Sequence, residues 1–150
     1  MFDSLSSTSF QKLKKSDKLP VLFLGHGSPM NAVSDNAYRR SWQALGERFG
    51  SEWPEPQLIL CVSAHWLTQG WWLTGMAQPI TIHDFGGFPQ ELFDQQYAAP
   101  GEPKAAAEIS HAVRQRASKP LGLNLDWGLD HGAWSGSSRC SPVPTFLWCS

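Results

Sequence analysis

Two short apolar runs, each closing on a histidine set in a loop of small residues, constrain this chain more than any other feature. The first is Pro20-Val21-Leu22-Phe23-Leu24, followed by Gly25-His26-Gly27-Ser28-Pro29-Met30-Asn31. The second is Leu58-Ile59-Leu60-Cys61-Val62, followed by Ser63-Ala64-His65-Trp66. A continuous apolar run bounded by turn residues reads as a strand buried on both faces, as in a parallel sheet. In open α/β sheets the ligand crevice lies beyond the carboxyl ends of the strands. If the two strands are parallel neighbours, both imidazoles project into that crevice, where they can share a metal ion. Glycines on either side of His26 permit close backbone approach there.

A chain of 150 residues has room for one domain with its own core. Its net charge of −1, with both signs interspersed, points to neither a nucleic-acid nor an anionic-membrane partner. The basic cluster Lys12, Lys14, Lys15 and Lys18 reads as part of a solvated tail. No segment resembles a signal peptide or a membrane span, and Cys61, Cys140 and Cys149 have no zinc-like spacing. A reducing cytoplasm is the simplest compartment. Eight tryptophans suit either ordinary packing or the walls of a pocket for a flat ligand.

Along the chain, residues 1–18 are expected to form a disordered or loosely attached tail. After the strand at 20–24, Asp35 or Asn36 caps a helix to about Phe49, with a stripe of Tyr38, Trp42, Leu45 and Phe49. Strands follow at 57–62 and 71–74. A Gly-, Pro- and aromatic-rich loop spans 78–89, and a short helix starts at Pro89 or Gln90. A helix from Pro103 to about Ser118 buries Ala106, Ile109, Ala112 or Val113, and Ala117, leaving His111 solvated. A strand at 121–125 leads into the loop Asp126-Trp127-Gly128-Leu129-Asp130-His131-Gly132-Ala133-Trp134.

A single histidine at a strand end is more often a satisfied polar residue than a ligand. Two at equivalent strand ends, one framed by glycines, bring the metal reading level with that one. His83 and His131 lie in further loops of the same kind, so four histidines could divide between metal binding and proton transfer. There is no G-x-S-x-G elbow, no phosphate-binding Gly-Lys-Ser/Thr loop and no H-E-x-x-H.

Four blocks together resemble the class III extradiol ring-cleavage dioxygenases, in their DOPA 4,5-dioxygenase-like branch. They are Leu24-Gly25-His26-Gly27-Ser28-Pro29-Met30-Asn31, Val62-Ser63-Ala64-His65-Trp66, Thr81-Ile82-His83-Asp84-Phe85-Gly86-Gly87-Phe88-Pro89 and Leu129-Asp130-His131-Gly132-Ala133-Trp134. The resemblance covers residues 19–135, with the blocks in family order. It implies an α/β fold, a mostly parallel central sheet flanked by helices, here an incomplete N-terminal portion of the family domain. It also implies opening of a catechol such as DOPA with O₂ and a non-haem metal, iron(II) or zinc(II). By position, His26 and His65 become the metal ligands and His131 the catalytic group beside a catechol oxygen. Trp66, His83 and Phe85 become substrate-binding residues.

The family's remaining length supplies a further ligating histidine and an acid–base histidine that this chain lacks. Residues 136–150 show neither helical nor strand periodicity where the family continues with a helix and a strand. Reading the third base of each codon with the first two of the next permits V-V-S-L-F-P-G-A-D-V-P-V-V-Q from Gly136, with Val forced at Trp148-Cys149. The expectation is therefore an N-terminal fragment with a frameshifted tail, inactive as it stands and prone to self-association through an exposed sheet edge. The alternative is a non-catalytic metal- or aromatic-binding remnant. A metal-dependent hydrolase ranks third, because no water-activating carboxylate is evident beside the histidines.

Overall fold

Trp71–Thr74 (β2) carries the core of the molecule: Leu73 and Thr74 are fully enclosed, whereas Trp71 faces solvent. The computed structural model describes residues 12–117, 119–140 and 146–149, the last four and residues 139–140 by backbone alone. The expected tail at 1–18 falls largely outside the described residues. Its end at Lys14 exchanges two hydrogen bonds with the Gln57 side chain, at 2.7 and 2.8 Å.

Beside β2 lie β1 (Ile59–Val62), β3 (Leu121–Asn124) and β4 (Phe146–Cys149), in the spatial order β1-β4-β2-β3. The β1–β4 and β2–β3 pairs are parallel, and β2 meets β4 antiparallel at Leu73 and Cys149. Four helices accompany the sheet among the described residues: α1 (Ala37–Gly46), α2 (Gln90–Phe93), α3 (Pro103–Arg114) and α4 (His131–Cys140). The fold is α/β, as expected. No helix among the described residues is long and apolar enough to cross a membrane.

Several local expectations are corrected. Residues 20–24 form no strand. A strand exists by pairing, and none of the described backbone pairs with this segment. Its side chains alternate instead, with Val21 and Phe23 at 100% and 99% exposed against 39% and 36% for Leu22 and Leu24. Burial on both faces fails for β1 too: Ile59 and Cys61 turn inward while Leu60 and Val62 are exposed. β1 is the terminal strand of the sheet, and among the described residues its outer face is open.

α1 stops at Gly46, and of the expected stripe Trp42 is buried while Tyr38 is exposed. Phe49 packs edge-on against Trp53 beyond the helix end. α3 ends at Arg114 and buries Ala105, Ala106 and Ser110, leaving Ala112 and Ala117 exposed. The Ser110 hydroxyl donates to the Leu121 carbonyl, which rotates the helix onto β3. His111 is solvated, as expected.

The largest correction concerns His131. His131 opens α4 and does not sit in a loop, and the helix continues through Ser135 to Cys140 before β4. Four residues are too few to reveal a period. Pairing to β1 on one side and β2 on the other makes β4 a strand.

The loop at 78–89 is irregular, as expected, but it is anchored. Ile82 N–H donates to the Leu129 carbonyl at 2.7 Å and Leu129 N–H to the Ile80 carbonyl at 2.8 Å. This bridge requires Gly128, where an added Cβ would collide with the Ile80 backbone. Gly128→Ala is therefore expected to lower stability by about 1–3 kcal/mol, the usual cost of overpacking. Urea denaturation followed by tryptophan fluorescence checks this.

Candidate metal centre

His26 is set by the turn that follows it. Gly27 has φ +60°, a left-handed conformation that favours glycine, and an added Cβ would press on Asn31. Asn31 is itself enclosed by a 3-10 turn over Pro29–Ala32 and donates from Nδ2 to the His26 carbonyl at 2.9 Å. The Asn36 side chain, which also caps α1, donates to Asn31 Oδ1. His26 thus needs no strand behind it: a polar turn holds it in place.

His65 follows β1 through Ser63. The Ser63 hydroxyl accepts from His65 N–H and donates to Asp130 Oδ1, both at 2.9 Å. Asp130 is buried and caps the first turn of α4 through Ala133 N–H. Burial pushes its carboxyl above the ordinary value, although the Ser63 hydroxyl works against that shift. His131 begins the same helix. Gly132 lets this helix end approach β1, since a Cβ there would lie 2.7 Å from the His65 ring.

The three imidazoles converge, and their candidate ligand atoms all lie within 4.8 Å of one another. His26 Nε2 and His65 Nε2 are 2.8 Å apart, and the His65 and His131 ring centroids are 4.1 Å apart. The donor set fits a divalent transition metal, for which neutral imidazole is a common ligand. Each ring has its Nδ1 turned toward a protein oxygen. His26 Nδ1 donates to the Gly27 carbonyl at 2.9 Å, and His131 Nδ1 donates to Asp84 Oδ1 at 2.8 Å. His65 Nδ1 lies 3.6 Å from Asp84 Oδ2. Such anchoring of the far nitrogen, made at His26, is what orients a ligating histidine.

Asp84 was not among the candidates, and the loop's backbone explains why. Residues 82–86 form no regular element, so no period tells which of the neighbours His83 and Asp84 turns to the cluster. Asp84 takes the inward place, and its Oδ1 also accepts from the His131 backbone N–H at 2.9 Å. Burial works to raise its carboxyl, but the His131 hydrogen bonds outweigh this and hold it below the usual range. A carboxylate therefore does accompany the histidines, contrary to expectation. Its Oδ1 is committed to His131.

Among the residues expected at a substrate wall, Phe85 meets the cluster edge-on, 5.4 Å from the His131 ring. His83 turns away: its Nε2 donates to the Gln95 carbonyl, and its ring packs on Phe85, Phe93 and Trp134. Trp66 is only 4% exposed and stacks on Trp127 in the core. Cys61 also stays out of the centre, with burial pushing its thiol up to about 12.

Desolvation lowers the His26 pKa from its ordinary value. The Gly27 hydrogen bond opposes this, and the neighbouring His131 and His65 add to it. The unfolded chain therefore takes up a proton at this position before the folded one does. Stability contributed at His26 is present above the unfolded value near 6.5 and is lost as the pH falls below it. Denaturant midpoints at pH 8 and pH 5.5 are expected to differ less in His26→Asn than in the unsubstituted chain.

No protein-family model matches the chain. It is 51% identical over 123 residues to an Escherichia coli (strain K12) protein named 4,5-DOPA dioxygenase extradiol, covering 81% of this chain and 43% of that one. A protein of the same name from Beta vulgaris is 36% identical over 118 residues, covering 76% and 42%. The crystal structure of an uncharacterized Escherichia coli K12 protein superposes with a TM-score of 0.57 at 36% identity, covering 82% of this chain and 43% of that one. The chain thus spans less than half the length of the relatives it matches. Over those matched residues the chain is a homologue of proteins named 4,5-DOPA dioxygenase extradiol.

Proposed function

We propose that this chain carries the metal-binding and catechol-facing part of an extradiol ring-cleavage site. The observation that carries the reading is the meeting of His26, His65 and His131 within 4.8 Å, from three separate parts of the sequence. His26 and His65 would hold the ion, iron(II) or zinc(II). A bound iron(II) supplies open positions for a catecholate and O₂ and the redox chemistry between them. His131, with its proton on Nδ1, presents a bare Nε2 that can accept a proton from a catechol hydroxyl. Phe85 forms the wall for the planar ring, with His83 and Trp134 packed behind it and Trp66 supporting β1 from the core.

The name of the relatives suggests DOPA or a similar catechol as substrate. We propose further that ring opening needs more of the family domain than this chain spans, so that alone it binds metal weakly and turns over negligible catechol. Calorimetry with zinc(II) is expected to show weak binding that His26→Ala and His65→Ala each abolish. With iron(II), O₂ and DOPA, the yellow ring-opened product is expected to be negligible. Binding that survives both substitutions would overturn the metal site. Turnover abolished by His65→Ala would instead assign full activity to this chain.

The outer face of β1, with Leu60 and Val62 exposed at a terminal strand, supports self-association through the sheet edge. Sedimentation velocity is expected to show dimers or larger species, reduced by Val62→Lys. A monomer at all concentrations would exclude it.

A further inference from the structure

Carboxylate oxygens and carbonyls can only accept hydrogen bonds, so the contacts around the three histidines specify where their protons sit. His26 donates from Nδ1 to the Gly27 carbonyl, which leaves Nε2 of its neutral ring a bare acceptor. The 2.8 Å contact between His26 Nε2 and His65 Nε2 then needs its proton from His65. With the proton on Nε2, the His65 Nδ1 is bare, and it faces Asp84 Oδ2 with two acceptors opposed. The separation there is 3.6 Å, whereas His131 Nδ1, which does carry a proton, sits 2.8 Å from Oδ1 of the same carboxylate.

A metal on His65 Nε2 requires that nitrogen to be bare. The proton must then leave Nε2 and reappear, by exchange with solvent, on Nδ1, with no net gain or loss. There it points at Asp84 Oδ2. We propose that Asp84 is a positioning residue shared by two histidines: it holds His131 with its proton on Nδ1 throughout, and draws the His65 proton from Nε2 to Nδ1 when a metal binds. The two carboxylate oxygens thereby have different tasks. Oδ1 is already occupied by the His131 ring and backbone, while Oδ2 is held in reserve for His65. This inference rests on the metal reading proposed above.

Asp84→Asn tests it sharply. The amide oxygen can still accept from His131, but the amide nitrogen then donates to His65 Nδ1 and stabilises the proton on Nε2, the form that cannot ligate through Nε2. Zinc(II) affinity is expected to fall about ten- to a hundredfold, the usual loss when a partner behind a ligating histidine is changed. Asp84→Glu, which keeps the carboxylate, is expected to recover part of it. Long-range ¹H–¹⁵N spectra of the imidazoles read the tautomers directly in the unsubstituted 150-residue chain. The His65 proton on Nε2 without zinc and on Nδ1 with zinc supports the inference, and a proton on Nδ1 in both states overturns the switch. Zinc binding that is indifferent to Asp84→Asn overturns the role of Asp84 alone. Absence of zinc binding in the unsubstituted chain overturns the metal reading and this inference with it.

Discussion

The structure turns on two carboxylates at the N-terminus of α4. Asp130 lies under the first turn of the helix, where it accepts from the Ser63 hydroxyl, from Ala133 N–H and from the Trp127 indole. Asp84 lies above it and accepts from the His131 backbone and ring. Unsatisfied N–H groups and a positive dipole end make a helix N-terminus favourable ground for negative charge. Through these two groups the end of β1, the loop at 80–84 and the helix are tied to one point. The strands are four residues each, too short for sheet pairing alone to define a site at their ends.

Apolar packing around that point is divided into small clusters. Leu73, Ala105, Ala106 and Leu121 join α3 to the sheet, while Trp66, Ala99, Leu129 and Ala133 fill the space between β1 and α4. Trp134 anchors the third, with Ala32 and Leu92, and donates its indole N–H to the Ile82 carbonyl at 2.9 Å. Tryptophan serves here as a large apolar body with one satisfied donor. The same residue that packs the helix also fixes the loop that carries Asp84.

How far the site was legible depends on what kind of residue is asked about. Histidines ending apolar runs announce themselves, because an imidazole framed by Gly25 and Gly27 has little reason to be there for packing. Asp84 does not. It follows a histidine that looked the better candidate, and which of the two faces inward depends on the anchoring of Ile82 to Leu129, a contact between segments 47 residues apart. Trp66 follows His65 in the chain yet packs into the core on Trp127, a contact that no local pattern announces. Four matching blocks identified the relatives of this chain because they preserve the site's residues, not its strands.

The sequence by itself determined the α/β character, the positions of β2, α2 and the irregular loop at 78–89, and the two histidines that close apolar runs, since each follows from local pattern and turn chemistry. It did not determine whether an apolar run becomes a strand. Residues 20–24 and residues 146–149 are both short and apolar, yet the second pairs on two sides and the first on none among the described residues. Only the tertiary structure decided that, because a strand is made by its neighbours. It likewise decided that His131 joins His26 and His65, since that meeting depends on Gly132 allowing close approach and on Asp84 reaching across from another segment.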